Sequence, residues 1–122
     1  MITLISHRYP AASQGNETAN ANVSQGQISK DFDCSVIHLP LHARGRGKTG
    51  EHRAIQDYVL SSVRAKDIIQ RAIAEAKDGT TMTFGCMDGK KRSVAVVERL
   101  ALRLRNSGHE VAIRHTELEA LG

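Results

Sequence analysis

The run Gly85-Cys86-Met87-Asp88-Gly89-Lys90-Lys91-Arg92-Ser93 gathers a thiol, a carboxylate, a hydroxyl, two glycines and three cations into one short stretch. Glycines at 85 and 89 let the backbone turn tightly and approach an anion closely. A helix starting near Lys91 would aim its free N–H groups, and the positive end of its dipole, into that turn. Lys90, Lys91 and Arg92 add charge, and a guanidinium can fork two hydrogen bonds onto a phosphate. The pattern therefore predicts an anion-binding loop made of Cys86, Met87, Asp88, Gly89, Lys90, Lys91, Arg92 and Ser93. In such a loop the N–H groups of residues 87–93 converge on one point and Arg92 turns inward.

The same spacing has a second meaning. A cysteine, five residues, an arginine and a serine form the loop of cysteine phosphatases. There a thiolate at the centre of an N–H ring attacks phosphorus, and the ring and arginine lower its pKa. In that alternative Cys86 and Arg92 are catalytic. The chemistry also needs a general acid for the leaving oxygen. Asp33 and Asp88 are the only nearby candidates, and their spacing places neither well. A plainer reading is a buried cysteine at a strand end, followed by a basic helix start. Gly47-Lys48-Thr49 resembles the end of a nucleoside-triphosphate loop, but His42 stands where that motif needs its first glycine.

A loop of this kind works only if a strand and a helix hold its two ends. Thr80 to Gly85 reads as the strand. Lys91 to Ser107 reads as the helix, with Val94, Val97, Ala101 and Leu104 on one stripe and Gly108 as its stop. Upstream, Thr3–Ile5 and Cys34–Leu39 read as strands, the latter closed by Pro40. Leu41 to Gly50 is a basic, glycine-rich loop with His42, Arg44, Arg46, Lys48 and Thr49. Glu51 to Lys77 is helical, with Ser61-Ser62 as a break, and Glu110–Arg114 is a last strand. Residues 11–30 form a surface loop. Alternating strands and helices predict an α/β fold: a single compact domain over 1–122 with a mostly parallel sheet flanked by helices. In such sheets ligands sit at the carboxyl ends of the strands.

Composition narrows the classes. The chain has 122 residues, a single-domain length, and its core must be aliphatic because it holds two Phe, two Tyr and no Trp. A net charge of +4 favours phosphates or nucleic acid as partners. Poverty in aromatics argues against a single-strand binder that stacks bases on rings. Two cysteines are too few for a disulfide scaffold, and His7, His38 and His42 lack metal-ligand spacing, so no metal and no cofactor are expected. No stretch is long and apolar enough for a membrane span, and a cytoplasmic location follows as the simplest expectation.

The run from Gly85 to Val94 resembles the signature of the RapZ C-terminal domain family of RNase adaptor proteins. The resemblance continues through Glu98, Leu100, Ala101, Arg105, Gly108 and Val111 to Arg114-His115 and Leu118-Glu119. Upstream it takes in Leu39-Pro40, Thr49-Gly50 and Asp57-Tyr58-Val59, so it covers about residues 33–119. It implies a stand-alone version of a domain that elsewhere follows a nucleotide-binding domain. It also implies a binding or sensing role for a phosphorylated small molecule, an amino-sugar phosphate or nucleotide-like ligand. RNA as a second partner and a homo-oligomeric state are implied too. By resemblance, Cys86, Gly89, Lys90, Arg92 and Ser93 line the pocket loop, Arg114 and His115 form a pair on the last strand, and His42 and Thr49 come from the basic loop. Met87, Asp88 and Lys91 depart from the family, which has Thr, Gly and His there. Asp88 puts a carboxylate beside an anion site, which would weaken plain phosphate binding or select a ligand with an amine or hydroxyl.

Overall fold

The computed structural model describes residues 1–8, 28–39 and 49–120. The elements are β1 (Ile2–Arg8), β2 (Ile28–Asp33), a 3-10 turn (Cys34–Val36), α1 (Arg53–Leu60), α2 (Val63–Glu75), β3 (Thr81–Cys86), α3 (Arg92–Asn106), β4 (Val111–His115) and α4 (Thr116–Ala120). The strands form one sheet in the order β2-β3-β1-β4, and every pairing is parallel. All six residues of β3 are buried. That explains why Thr-Met-Thr-Phe-Gly-Cys lacks the alternation of a half-solvated strand.

The core is aliphatic, as composition requires. Leu4, Met82 and Phe84 from the sheet meet Ile55 and Val59 of α1, Ile69 of α2, and Val96, Val97 and Leu100 of α3. The expected stripe Val94, Val97, Ala101 and Leu104 is buried, and Ala95 and Val96 are buried with it. The first half of α3 is thus enclosed nearly all round. The long helix does divide at the serine pair. The Ser61 hydroxyl donates to Tyr58 O, and the Ser62 hydroxyl accepts from the Arg64 N–H and caps α2. A new cap competes with helix continuation at such a pair.

Two expectations are corrected. Cys34–Leu39 is not a strand. The Asp33 side chain accepts from the Ser35 N–H at 2.8 Å, and the Ile37 N–H donates to Cys34 O, which curls the chain into the 3-10 turn. A local side-chain-to-backbone bond outweighs the β preference of Val36 and Ile37. The second strand lies just upstream, so the surface loop drawn over 11–30 ends before Ile28. Its selection is tertiary: Phe32 stacks on Phe84 with ring centroids 5.1 Å apart. The remainder of that loop, and His42, Arg44, Arg46 and Lys48, lie outside the described residues.

Register then gathers the chemistry. Arg8 pairs with Cys86, His7 with Gly85, Asp33 with Gly85 and Ser6 with His115. All of these are at the carboxyl end of the sheet, where the loop after β3 begins.

Candidate anion-binding site

Cys86 ends β3 with no exposure, and the chain then turns through Met87 to Lys91 before α3 begins at Arg92. Asp88 folds back into this turn. Its Oδ1 accepts from the Lys90 N–H at 2.9 Å, the Lys91 N–H at 3.3 Å and the Cys86 thiol at 3.5 Å. Its Oδ2 lies 3.3 Å from Nζ of Lys91, a residue only 8% exposed. Burial opposes ionisation of Asp88. The Lys90 N–H and the charge and hydrogen bond of Lys91 outweigh it, holding the carboxyl below the usual carboxylate range. Below the thiol, the Ser93 N–H donates to Cys86 Sγ at 3.4 Å, and Ser93 Oγ lies 3.2 Å from it. Two N–H groups of the turn, the Cys86 thiol and the Lys91 ammonium meet on the chain's own carboxylate, whereas the Ser93 N–H goes to Cys86 Sγ.

Two glycines dock the walls. Gly89 has φ +69°, and a Cβ there would lie 2.6 Å from Glu117 Cγ and 3.0 Å from Arg8 N. The turn is thereby pressed against the end of β1 and against α4, where Arg8 Nε and Glu117 Oε1 are 3.6 Å apart. On the other side, the Gly50 N–H donates to Lys90 O at 2.6 Å. A Cβ on Gly50 would collide with Lys91 O and Ala95 N and stand 2.8 Å from Val94 Cβ. This contact brings Thr49 to the turn. The Thr49 hydroxyl accepts from the Glu51 N–H at 3.1 Å.

Arg92 does something the sequence did not disclose. Its Nη1 donates to Ser35 O at 3.1 Å and Ile37 O at 3.2 Å, tying α3 to the 3-10 turn after β2. Arg92→Ala is expected to cost about 2 kcal/mol of folding stability, because it strands two carbonyls that a charged donor had satisfied. Urea unfolding of the variant measures this. A loss under about 0.5 kcal/mol would show that solvent replaces the guanidinium freely.

The Arg114-His115 pair divides. Arg114 turns to Glu119, with Nε to Oε1 at 3.2 Å and Nη2 to Oε2 at 3.0 Å. His115 is buried. Its Nδ1 lies 2.7 Å from Ser6 Oγ and its Nε2 lies 2.7 Å from Glu98 Oε2. His115 thus joins β1, β4 and α3. Donor atoms of Glu51, Glu98 and His115 lie within 4.8 Å of one another, a donor set that suits a divalent cation. A cation there would have to displace the direct His115–Glu98 bond. Glu51 and Glu98 also border a cleft of about 450 Å³ between α1 and α3, with Arg53, Gln56, Asp57 and Arg99.

Sequence reasoning missed Ser6, Ser35, Glu98 and Glu117 as partners of the site. Ser6, Ser35 and Glu117 sit in no local pattern that signals them, whereas Glu98 lies within the run that carries the family resemblance. Cys34 is buried as well. Burial first, then the nearby Cys86, Asp33 and Asp31, pushes its thiol well above the usual range.

A turn of this composition, between these two elements, with an Arg-His pair ending β4, coincides with a known domain. Residues 26–119 match the family model described as the RapZ C-terminal domain. The chain belongs to the RapZ C-terminal domain family. A nucleotide-binding protein of Bifidobacterium adolescentis is 40% identical over 106 residues, covering 75% of this chain and 34% of that protein. One from Thermobifida fusca is 39% identical over 99 residues, covering 71% of this chain and 34% of its own. One from Ruegeria sp. is 33% identical over 99 residues, covering 71% and 33%. The chain therefore spans about a third of the length of these curated relatives. No helix among the described residues is long and apolar enough to cross a membrane.

Proposed function

We propose that this RapZ C-terminal-type domain is a binding or sensing module for a phosphorylated small molecule, held by the turn from Cys86 to Ser93. The observation that carries the reading is the convergence of the Lys90 and Lys91 N–H groups, the Cys86 thiol and the Lys91 ammonium on one pair of carboxylate oxygens. Phosphoryl oxygens accept from the same donors with more charge. The family resemblance favours an amino-sugar phosphate, and a nucleotide comes second because the relatives named for nucleotide binding are about three times as long as this chain. Both present the terminal phosphate that this turn would grip. Thr49 borders the turn, and His42 precedes it by seven positions in the sequence. An RNA partner and self-association rest on the resemblance alone. RNA binding would weaken steeply with added salt as counterions are released.

The test is a panel of inorganic phosphate, nucleotides and sugar phosphates, read by thermal shift and calorimetry. A saturable rise in melting temperature with a phosphorylated member, and none with its dephosphorylated counterpart, is expected. No shift with any member at about 10 mM would remove the reading, since even weak sites respond at that excess.

The cysteine phosphatase remains the rival. Its nucleophile would be a thiol that here donates to Asp88 and is fully enclosed. Its candidate acid Asp33 is occupied in capping Ser35. The protein is expected to leave a general aryl phosphate unhydrolysed, and Cys86→Ser is expected to bind ligand nearly as before. Robust hydrolysis that disappears in Cys86→Ser would reverse this assignment.

A further inference from the structure

We infer that Asp88 is a resident competitor for the anion site: its carboxylate occupies the donors of the turn, and a phosphoryl group enters by displacing it. This deepens the function proposed above and rests on it. Asp88 holds four donors at once. Oδ1 alone takes two backbone N–H groups and the thiol, and Oδ2 takes the buried Lys91 ammonium. These are the groups that make the turn attractive to an anion, and in this arrangement one side chain uses them together.

Asp88 is not locked in by packing. It is partly exposed, with 42% of its side chain open to solvent. What holds it is charge and hydrogen bonding, which a stronger anion can supply in its place. Rotation of one short side chain would free the donors and leave the backbone of the turn where Gly50 and Gly89 dock it. The competition is intramolecular, so apparent affinity scales with the fraction of molecules in which Asp88 has swung away. It also ranks ligands by charge. A phosphate monoester dianion displaces a carboxylate better than a singly charged carboxylate or sulfonate does, because the released ammonium and N–H groups favour the denser charge. A turn without this carboxylate would lack the competitor, so this chain demands a more highly charged group, or more of it.

The experiment compares the natural protein with Asp88→Asn and Asp88→Ala, titrated with inorganic phosphate and followed by backbone amide chemical shifts of residues 86–93. Asparagine keeps an acceptor for the turn and loses the charge, which guards against a variant whose turn simply unravels. If the occupied state holds about nine molecules in ten, both variants bind phosphate about tenfold more tightly. The Lys90 and Lys91 amides should move first. Phosphate binding by the natural protein that stays equal or weakens in both variants overturns the inference and leaves the proposed function standing, with Asp88 as a positioning residue. No binding by any of the three proteins overturns the proposed function itself. In the variants, tighter binding of acetate than of phosphate would refute the ranking by charge.

Discussion

Replacing Gly50 with alanine is expected to lower folding stability by about 3 kcal/mol, or roughly 10 °C in melting temperature. Gly50 is buried, and the space its Cβ would need is filled by Lys91 O and Ala95 N. Both are main-chain atoms at the first turn of α3, so no rotamer change can relieve the clash. The chain before Gly50 must instead move away from the turn, which breaks the 2.6 Å bond from the Gly50 N–H to Lys90 O. Overpacking against backbone lies at the costly end of such substitutions. A second effect is expected with the first. Phosphate binding should fall in the variant even below its melting temperature, because the wall that carries Thr49 has left. Thermal unfolding and phosphate titration of the same sample separate the two effects. A variant within about 1 °C of the natural protein would mean that the contact between the two loops is dispensable.

Replacing His115 with alanine is expected to cost about 3 kcal/mol. The imidazole fills a place between three elements, and its loss strands the fully buried Ser6 hydroxyl and removes the partner of Glu98. The Ser6 hydroxyl cannot reach solvent, so its desolvation is uncompensated. Glu98 is partly exposed and can rehydrate. Glu98→Gln should therefore cost no more than about 1 kcal/mol. Combining the two substitutions in a double-mutant cycle should show coupling above about 0.5 kcal/mol, because the residues touch at 2.7 Å. Denaturant unfolding of all three variants gives these numbers. Strict additivity would mean that the His115–Glu98 bond contributes nothing beyond the packing of each side chain.

The RapZ-type turn was legible because its signals are local. Glycines at 85 and 89, the basic start of α3 and the stripe Val94, Val97, Ala101 and Leu104 all act within a few residues. The parallel α/β arrangement was legible from the alternation of elements. The break at Ser61-Ser62 was legible because serine hydroxyls cap helices through neighbouring backbone.

What the sequence left open was decided by contacts distant in sequence. β2 was misplaced because Ile-Ser-Lys-Asp-Phe-Asp has little β character of its own and is recruited by β3 through Phe32 and Phe84. Arg92 reads as a phosphate clamp from its neighbours, yet its Nη1 serves the carbonyls of Ser35 and Ile37, more than fifty positions upstream. His115 ends the last strand beside Arg114, and its burial comes about only because β4 pairs with β1 and brings Ser6 to it. The sequence by itself determined which residue types stand together in the turn, and so which charge it attracts. The tertiary structure alone decided which of their hydrogen bonds are already taken. Donors are a property of residue type, whereas their occupancy depends on what the rest of the chain brings within 3 Å or so.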